Sequence, residues 1–148
     1  MFKGAKRAGK RTPGLRGRVW IDGEEGIFLG NGRISLLERI REYGSIRKAA
    51  KAIGMSYRHA WDLVDSMNNR APQPFVKAVT GGSSGGGAEL TESGERAVAF
   101  FKKFHAEFGE FLRIQETSKE YQEMRSPKPT AEKASAGRTD GGSTRARR

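Results

Sequence analysis

The sequence predicts a mainly α fold with small β-hairpins (α+β), in the arrangement of a winged helix-turn-helix extended by a long C-terminal helix. Three observations predict it. Three short segments with apolar residues at helical spacing follow one another between residues 33 and 69. Two β-rich segments around a glycine-rich tip come next, at residues 74–91. A heptad-like aromatic segment then lies within residues 91–124.

The composition limits the chain to a small, cysteine-free domain with tails. Its 148 residues are 35% hydrophobic, which predicts a small core, and the absence of cysteine excludes disulfides and thiolate metal sites. No apolar stretch approaches the ~18 residues that mark a membrane span. No apolar run follows the first charges, as it would in a secretory signal. We therefore expect a cytoplasmic protein.

Positive charge is concentrated in three regions. Of the formal net charge of +11, residues 1–18 carry +7 and residues 125–148 carry +5, while residues 19–124 sum to −1. Within that central part, residues 32–77 carry +5 and each flank carries −3. One basic face between acidic ends, with two basic tails, suits double-stranded DNA better than a small acidic substrate. The alternative is that the tails only aid solubility.

The N-terminal part is predicted to be a disordered basic arm, residues 1–15, followed by a first β-hairpin. Apolar residues alternate across residues 16–30 around the turn sequence "DGEEG". Trp20 could lie on either face of this hairpin. The inward-facing candidates are Val19, Ile21, Ile27 and Leu29.

Three helices are predicted next. The first, residues 33–44, ends at Gly44, and the second begins at the N-cap Ser45. Gly54 permits the left-handed backbone of the turn "GMS", and Ser56 caps the third helix, residues 56–68. The residues expected to face the core are Ile34, Leu36, Leu37, Ile40, Ile46, Ala49, Ala50, Ile53, Ala60, Leu63, Val64 and Met67.

A second hairpin and a long helix complete the predicted domain, residues 16–124. Residues 74–80 and 88–91 are strand-like and flank the glycine loop closely, which argues against a flexible linker. Thr91 begins a single helix that is predicted to continue to Met124. Residues 125–148 form a polar, basic tail that is predicted to be disordered.

The second and third helices, joined at "IGMS", are a helix-turn-helix candidate, although such helical pairs also occur as plain core. The segments "GRISLLERIREYGSIRKAAKAIGMSYRHAWDLVDSMN" and "FVKAVTGGSSGGGAELTESGERAV" resemble the N-terminal DNA-binding domain of the ModE family. These are molybdate-responsive transcriptional regulators related to the LysR-type helix-turn-helix. The resemblance covers residues 19–112 and implies a prokaryotic winged-helix dimer on a palindromic operator. It implies that residues 56–68 are the recognition helix and residues 77–90 the wing.

The resemblance does not extend to the molybdate-binding modules with which ModE proteins continue. The 24 residues after Met124 are too few to bury the core of a β-barrel. We therefore expect that this chain binds neither molybdate nor another cofactor.

The outward face of the third helix holds the candidates for DNA contact. The fork of Arg58 matches the two acceptors of guanine, and Tyr57 can reach a phosphate or a thymine methyl group. Trp61 could belong to the core or to the contact surface. Arg47 and Lys48 suit phosphates, although a solvated helix face is the alternative. The candidate DNA-binding residues are Arg47, Lys48, Ser56, Tyr57, Arg58, His59, Asp62, Lys77, Gly82, Ser83, Ser84 and Gly85.

The long helix carries an aromatic seam that predicts a homodimer. Its residues are spaced 4, 3, 4, 3 and 4 apart, close to a heptad repeat. The alternative is that the seam packs only on its own domain. The seam consists of Ala97, Phe101, Phe104, Phe108, Phe111 and Gln115, with the four phenylalanines as the proposed dimer contacts.

An enzyme is not expected. The glycine loop lacks the lysine of a P-loop, no nucleophile–base pair or paired carboxylates stand out, and neither His59 nor His105 has a second metal ligand at suitable spacing. Two rivals to a sequence-specific regulator remain. One is an architectural DNA-binding protein with little sequence specificity, and the other is a protein-interaction module that uses the helix-turn-helix as a scaffold.

Overall fold

The computed structural model describes residues 13–81 and 86–126 of the chain. Residues 1–12, 82–85 and 127–148 lie outside this description, and with them most of the two predicted tails and the tip of the wing. The elements are β1 (Ile21–Gly23), β2 (Gly26–Leu29), α1 (Asn31–Tyr43), α2 (Ile46–Ala52), α3 (Tyr57–Arg70), β3 (Val76–Val79), β4 (Gly87–Leu90), α4 (Glu92–Glu116) and α5 (Lys119–Arg125). The predicted fold class, α+β with two small antiparallel hairpins, is confirmed.

The helix boundaries follow local chemistry that the sequence displays. Gly44 and Gly54 have φ angles of 64° and 68°, the left-handed region that costs glycine little. The hydroxyls of Ser45, Ser56 and Thr91 each accept a hydrogen bond from a backbone N–H in the first turn of α2, α3 and α4. These stops and caps are the ones that the sequence predicts.

One apolar core joins α1, α2 and α3 to the second hairpin and to α4. Leu36, Leu37 and Ile40 are fully buried, as the helical spacing of α1 predicts. Ala49 and Ala50 are buried where α2 packs closely on its neighbours, because their side chains are small. The other fully or nearly fully buried apolar residues are Leu29, Ile34, Ala60, Val64, Met67, Phe75, Val76, Ala88, Val98 and Phe101.

The first hairpin departs from the predicted alternation. Ile21 pairs with Leu29 but Asp22 pairs with Ile27, so the register shifts between them. An extra residue of this kind breaks the period of two along a strand. Ile27, predicted to face inward, is therefore 52% exposed, and that prediction is wrong. Phe28 instead packs on the core, with its ring centroid 5.6 Å from that of Phe75.

The long helix is shorter than predicted. The predicted single helix to Met124 is wrong, because α4 ends at Glu116 and α5 starts after a turn at Thr117 and Ser118. The hydroxyl of Thr117 donates to the carbonyl of Ile114, and that of Ser118 accepts from the N–H of Tyr121. Such local side-chain bonds compete with a continuous helix, so this Thr-Ser pair ends α4 and caps α5.

Candidate nucleic-acid interface

The first turn of α3 points into solvent. Ser56 caps it by accepting from the N–H of His59, 3.1 Å away. Tyr57, Arg58 and His59 are exposed, and the Arg58 side chain is 89% exposed. Because Ala60 is buried at the start of the inner stripe, the helix presents one face to the core and this polar turn to the outside. The turn therefore offers donors and a ring to a partner without unfolding the domain.

Arg47, at the start of α2, is stacked on Tyr57, at the start of α3. Its guanidinium carbon lies 4.2 Å from the centroid of the Tyr57 ring. Such a cation–π contact contributes about 0.5–1 kcal/mol at an exposed site. It joins the two helix starts, so the phenol and the guanidinium are presented to a partner as one unit.

Arg58 has a carboxylate neighbour on its own helix. Its Nε lies 3.5 Å from Oδ1 of Asp62, one turn further along α3. Both side chains are more than half exposed, so the pair contributes little to stability. The pair lies along the outer face of the helix, where the Arg58 side chain is largely exposed.

A cleft of about 550 Å³ lies beside α2, at the base of the wing. Lys48 and Arg41 line it, together with backbone of the turn at Gly44 and of the wing at Gly81 and Gly86. Arg41 is held by Glu95, with 3.0 Å between Nη1 and Oε2. Lys48 is thus the cation best placed for an anion at this cleft.

The wing is fixed at its base. The N–H of Ala88 donates to the carbonyl of Gly44 at 3.0 Å, and a Cβ added to Gly87 would lie 2.5 Å from the same oxygen. Asn68 of α3 adds three hydrogen bonds at the start of β3: its Oδ1 accepts from the N–H groups of Phe75 and Val76, and its Nδ2 donates to the carbonyl of Val76. Both the helix-turn-helix and the wing are therefore held in one orientation.

The predicted wing contacts divide into two groups. Lys77 lies on β3 and is paired across the hairpin with Glu89, at 2.9 Å, so its charge is partly compensated. Gly82, Ser83, Ser84 and Gly85 lie outside the described residues. The glycines that bracket them, Gly81 and Gly86, have φ angles of 111° and 43°, which explains the need for glycine at both positions.

Arg33 and Arg70 organise the side of α3 that faces the first hairpin. Arg33 donates to the hydroxyl of Ser66 at 3.1 Å, and Arg70 donates to the carbonyls of Gly26 and Ile27. Burial, with a smaller contribution from the charge of Arg70, lowers the pKa of Arg33 from its usual value. These residues were not predicted, since their partners are backbone and a hydroxyl brought together only by the fold.

Comparison with known proteins identifies similar sequences. The chain is 46% identical over 91 residues to a molybdenum transport protein ModE from Azotobacter vinelandii, which covers 62% of the chain and 34% of that protein. It is 41% identical over 78 residues to the DNA-binding transcriptional dual regulator ModE of Escherichia coli, 53% of the chain and 30% of that protein. No family model matches.

The described domain is ModE-like. This confirms the resemblance inferred from the motifs, and the match lies in the N-terminal part of these relatives. A third relative, the molybdenum-pterin-binding protein MopA of Rhodobacter capsulatus, is 47% identical over 73 residues, 49% of the chain and 28% of that protein. The chain thus spans about a third of the length of the curated relatives it matches.

The long helix of the ModE-like domain corrects part of the predicted aromatic seam. Phe101 is 2% exposed in the core of its own chain, so it cannot also form a dimer contact. Phe108 is half-buried, and a Cβ added to Gly17 of the N-terminal segment would lie 2.5 Å from its ring. The large apolar residues that α4 exposes are Phe100, Phe104, Phe111 and Ile114.

The N-terminal segment lies along the second half of α4. The backbone N–H of Leu15 donates to Oε1 of Glu116. Of the predicted arm, residues 13–15 are described, and Leu15 contacts this helix. Gly17, just beyond the arm, lies against the ring of Phe108.

The described residues contain no group of three or more His, Cys, Asp or Glu side chains that could hold a metal ion. His59 and His105 are both exposed, and the ring of His105 is stacked on Phe101, with 6.3 Å between centroids. Within residues 13–81 and 86–126, no helix is long and apolar enough to cross a membrane.

Proposed function

We propose that this chain is a dimeric, sequence-specific transcriptional regulator that binds a palindromic operator through residues 56–68 and the glycine-rich wing. The observation that carries the proposal is the exposed first turn of α3, in which Arg47 stacks on Tyr57 and the Arg58 side chain extends into solvent beside Asp62. A recognition helix enters the major groove with such a turn foremost. Relatives that are named as transcriptional regulators support the same function.

Electrostatics favour a nucleic acid over a small ligand at this face. Arg47 of α2 contacts Tyr57 in the exposed turn of α3, and the next residue, Lys48, lines the cleft at the base of the wing. Phosphate contacts position a protein on the duplex, and base contacts specify the sequence. We assign Lys48 to phosphate and Arg58 to a base edge, with guanine as the partner whose two acceptors match its fork.

Dimer formation is required for a palindrome, because two recognition helices must be held about 34 Å apart. We propose that the exposed α4 residues Phe104 and Phe111 form this contact with a second copy, with Phe100 and Ile114 beside them. Neighbouring rings on this face already stack in pairs, Phe100 with Phe104 and Phe108 with Phe111. This arrangement replaces the predicted seam through Phe101.

We propose double-stranded DNA, and not molybdate, as the ligand of the described domain. The relatives named for molybdenum match this chain only over about a third of their length. Operator affinity measured with and without added molybdate should be equal. A shift in that affinity would give the domain an oxyanion site of its own, for which the lysine-lined cleft is the candidate.

Selection of bound duplexes from a random pool tests the proposal with the full chain. Enrichment of one palindrome is expected, and Arg58→Lys, which keeps the charge but loses the fork, should relax the choice at one position of each half-site. Binding without enrichment would support the second candidate, an architectural DNA-binding protein. The net charge of +11 favours that candidate, because it strengthens contact with any duplex.

A further inference from the structure

Trp61 is an exposed tryptophan on the outer part of α3. The sequence leaves it between core and contact surface, and the structure excludes the core because 48% of it is exposed. A half-exposed tryptophan is either an isolated surface residue or part of a surface that binds a partner. Its surroundings distinguish these two possibilities.

Trp61 forms one wall of a groove between α3 and β3, with a volume of about 190 Å³. Ile46, Val64, Val76 and Ala78 supply apolar walls. On the hairpin side the groove is lined by small residues, Ala78, Gly87 and Ala88. Its size suits a methyl group or the edge of a ring, since a cavity of about 150 Å³ can hold benzene.

The groove adjoins the proposed DNA-binding turn. Trp61 follows Arg58 by three residues, which places it about 4.5 Å further along the helix and about 60° around it. It follows Tyr57 by four residues and so lies on the same face. Base pairs are stacked about 3.4 Å apart. If Arg58 binds a base edge, a base pair no more than about two steps away would therefore lie next to the indole.

The rim of the groove disfavours a phosphate. Asp65 lies on it, and the charge of Lys77 there is partly compensated by Glu89 at 2.9 Å. Asn68 already uses its amide on the backbone of β3. The groove therefore suits an apolar part of the DNA. In the major groove, the only apolar substituent of a base is the 5-methyl group of thymine.

We infer that Trp61 is a specificity-determining residue that contacts the 5-methyl group of a thymine in each half-site. The inference rests on the proposed function and adds a second base contact beside that of Arg58. Together they would specify a guanine and a thymine within about two base pairs of each other. Replacing the thymine with cytosine would leave the groove without its methyl group.

The test uses the selected operator and replaces each thymine in turn with deoxyuridine, which removes only the methyl group. When deoxyuridine replaces one particular thymine of each half-site, the wild-type chain should bind about fourfold more weakly. The reason is that one methyl group is no longer buried. Trp61→Ala should bind the unmodified operator more weakly and show no methyl dependence at that position. Trp20→Ala, which removes the exposed tryptophan of the first hairpin, is the matched control and should keep the full dependence.

Two further measurements secure the outcome. Circular dichroism should show that Trp61→Ala remains folded. If Trp61→Ala is less stable than the wild type, Trp61→Phe replaces it and should keep part of the methyl dependence. In Trp20→Phe, where Trp61 is the remaining tryptophan, the operator should change the fluorescence more than a random duplex does.

The outcomes separate the inference from the proposed function. An enriched operator bound without any methyl dependence, or with equal dependence in wild type and Trp61→Ala, overturns the inference and leaves the regulator in place. Equal loss by Trp61→Ala on operator and random DNA also overturns it, because the indole then contacts the backbone. Failure to enrich any sequence overturns both.

Discussion

Arg47 and Lys48 are adjacent in sequence but have different surroundings. Lys48 lies at the open cleft, whereas Arg47 covers the ring of Tyr57. The sequence assigns both to phosphates from their charge and their position in the first turn of the second helix. In the structure Arg47 also stacks on Tyr57, so removing Arg47 would free the phenol at the start of α3 as well.

Lys48→Ala should weaken binding to any duplex and flatten the dependence of log K on log salt by about 0.9 for each lost phosphate contact. Sequence preference should not change, because a phosphate carries no sequence information. Titrations of operator and random duplex at several salt concentrations measure both effects. Lys103→Ala, on the exposed surface of α4, is the control of equal charge. An unchanged slope would remove Lys48 from the interface.

Arg47→Lys should keep the salt slope but lose part of the stacking on Tyr57, since an ammonium lacks the flat guanidinium. We expect a weaker operator complex with nearly unchanged affinity for random DNA. A loss of the same size on both duplexes would mean that Arg47 acts only through its charge and that the stack with Tyr57 has no role in positioning.

Arg58→Ala should lose discrimination at one base pair of each half-site, at a cost of about 1–3 kcal/mol there. Random DNA should be bound with much less change. Asp62→Ala serves as the partner variant, since it frees Arg58 without removing it. If operator and random affinity fall equally in Arg58→Ala, the guanidinium contacts a phosphate.

The attachment of the wing to α3 depends on Asn68. Its removal by Asn68→Ala leaves the N–H groups of Phe75 and Val76 without their acceptor in a half-buried place, which costs about 1–3 kcal/mol. Thermal or urea unfolding measures the loss. Asn69→Ala is the neighbouring control, because its amide bonds only to exposed Asp65 and should change stability by less than about 0.5 kcal/mol. Equal stability of the two variants would contradict the bridging role.

The elements differ in how far the sequence predicts them. Helices α1 to α3 follow from apolar spacing and from caps that act within a few residues, so local information suffices. The first hairpin does not follow from local information. Ile27 is exposed by a register shift, and Phe28 packs on Phe75, which is distant in sequence. The break at Thr117 was missed because both residues of the turn also occur within helices.

For the same reason, the sequence predicts only part of the structure around the candidate site. The caps at Ser45 and Ser56 are local features, whereas the bridge from Asn68 joins segments that only the tertiary fold brings together. On α4, aromatic residues occupy two faces, so a spacing of three and four residues fits either one. Burial decides between them, placing Phe101 inside and Phe100 outside.

At the scale of the whole molecule, dimer formation can be separated from folding. Phe104→Asp combined with Phe111→Asp should give a folded monomer, because both rings are exposed and each contributes about 1.5–3 kcal/mol when buried in an interface. Sedimentation and circular dichroism measure the two properties. The monomer should bind a half-site as well as it binds the palindrome.

Phe101→Ala is the converse control. It should lower the free energy of unfolding by about 3–5 kcal/mol through a cavity in the core and leave the oligomeric state unchanged in the folded fraction. A double α4 variant that stays dimeric would place the interface on another surface, with the exposed first hairpin as the next candidate.

The anchoring of the wing base has a consequence for engineering. Pairing of Val79 with Gly87 and the bond from Ala88 to Gly44 hold the stem whatever lies beyond it. Residues inserted between Gly81 and Gly86 should therefore change the reach of the tip, by up to about 3.3 Å for each pair of residues because the loop runs out and back, without shifting α3. We expect that tips of different length and charge can be exchanged at this loop while the sequence preference that we propose for α3 is kept.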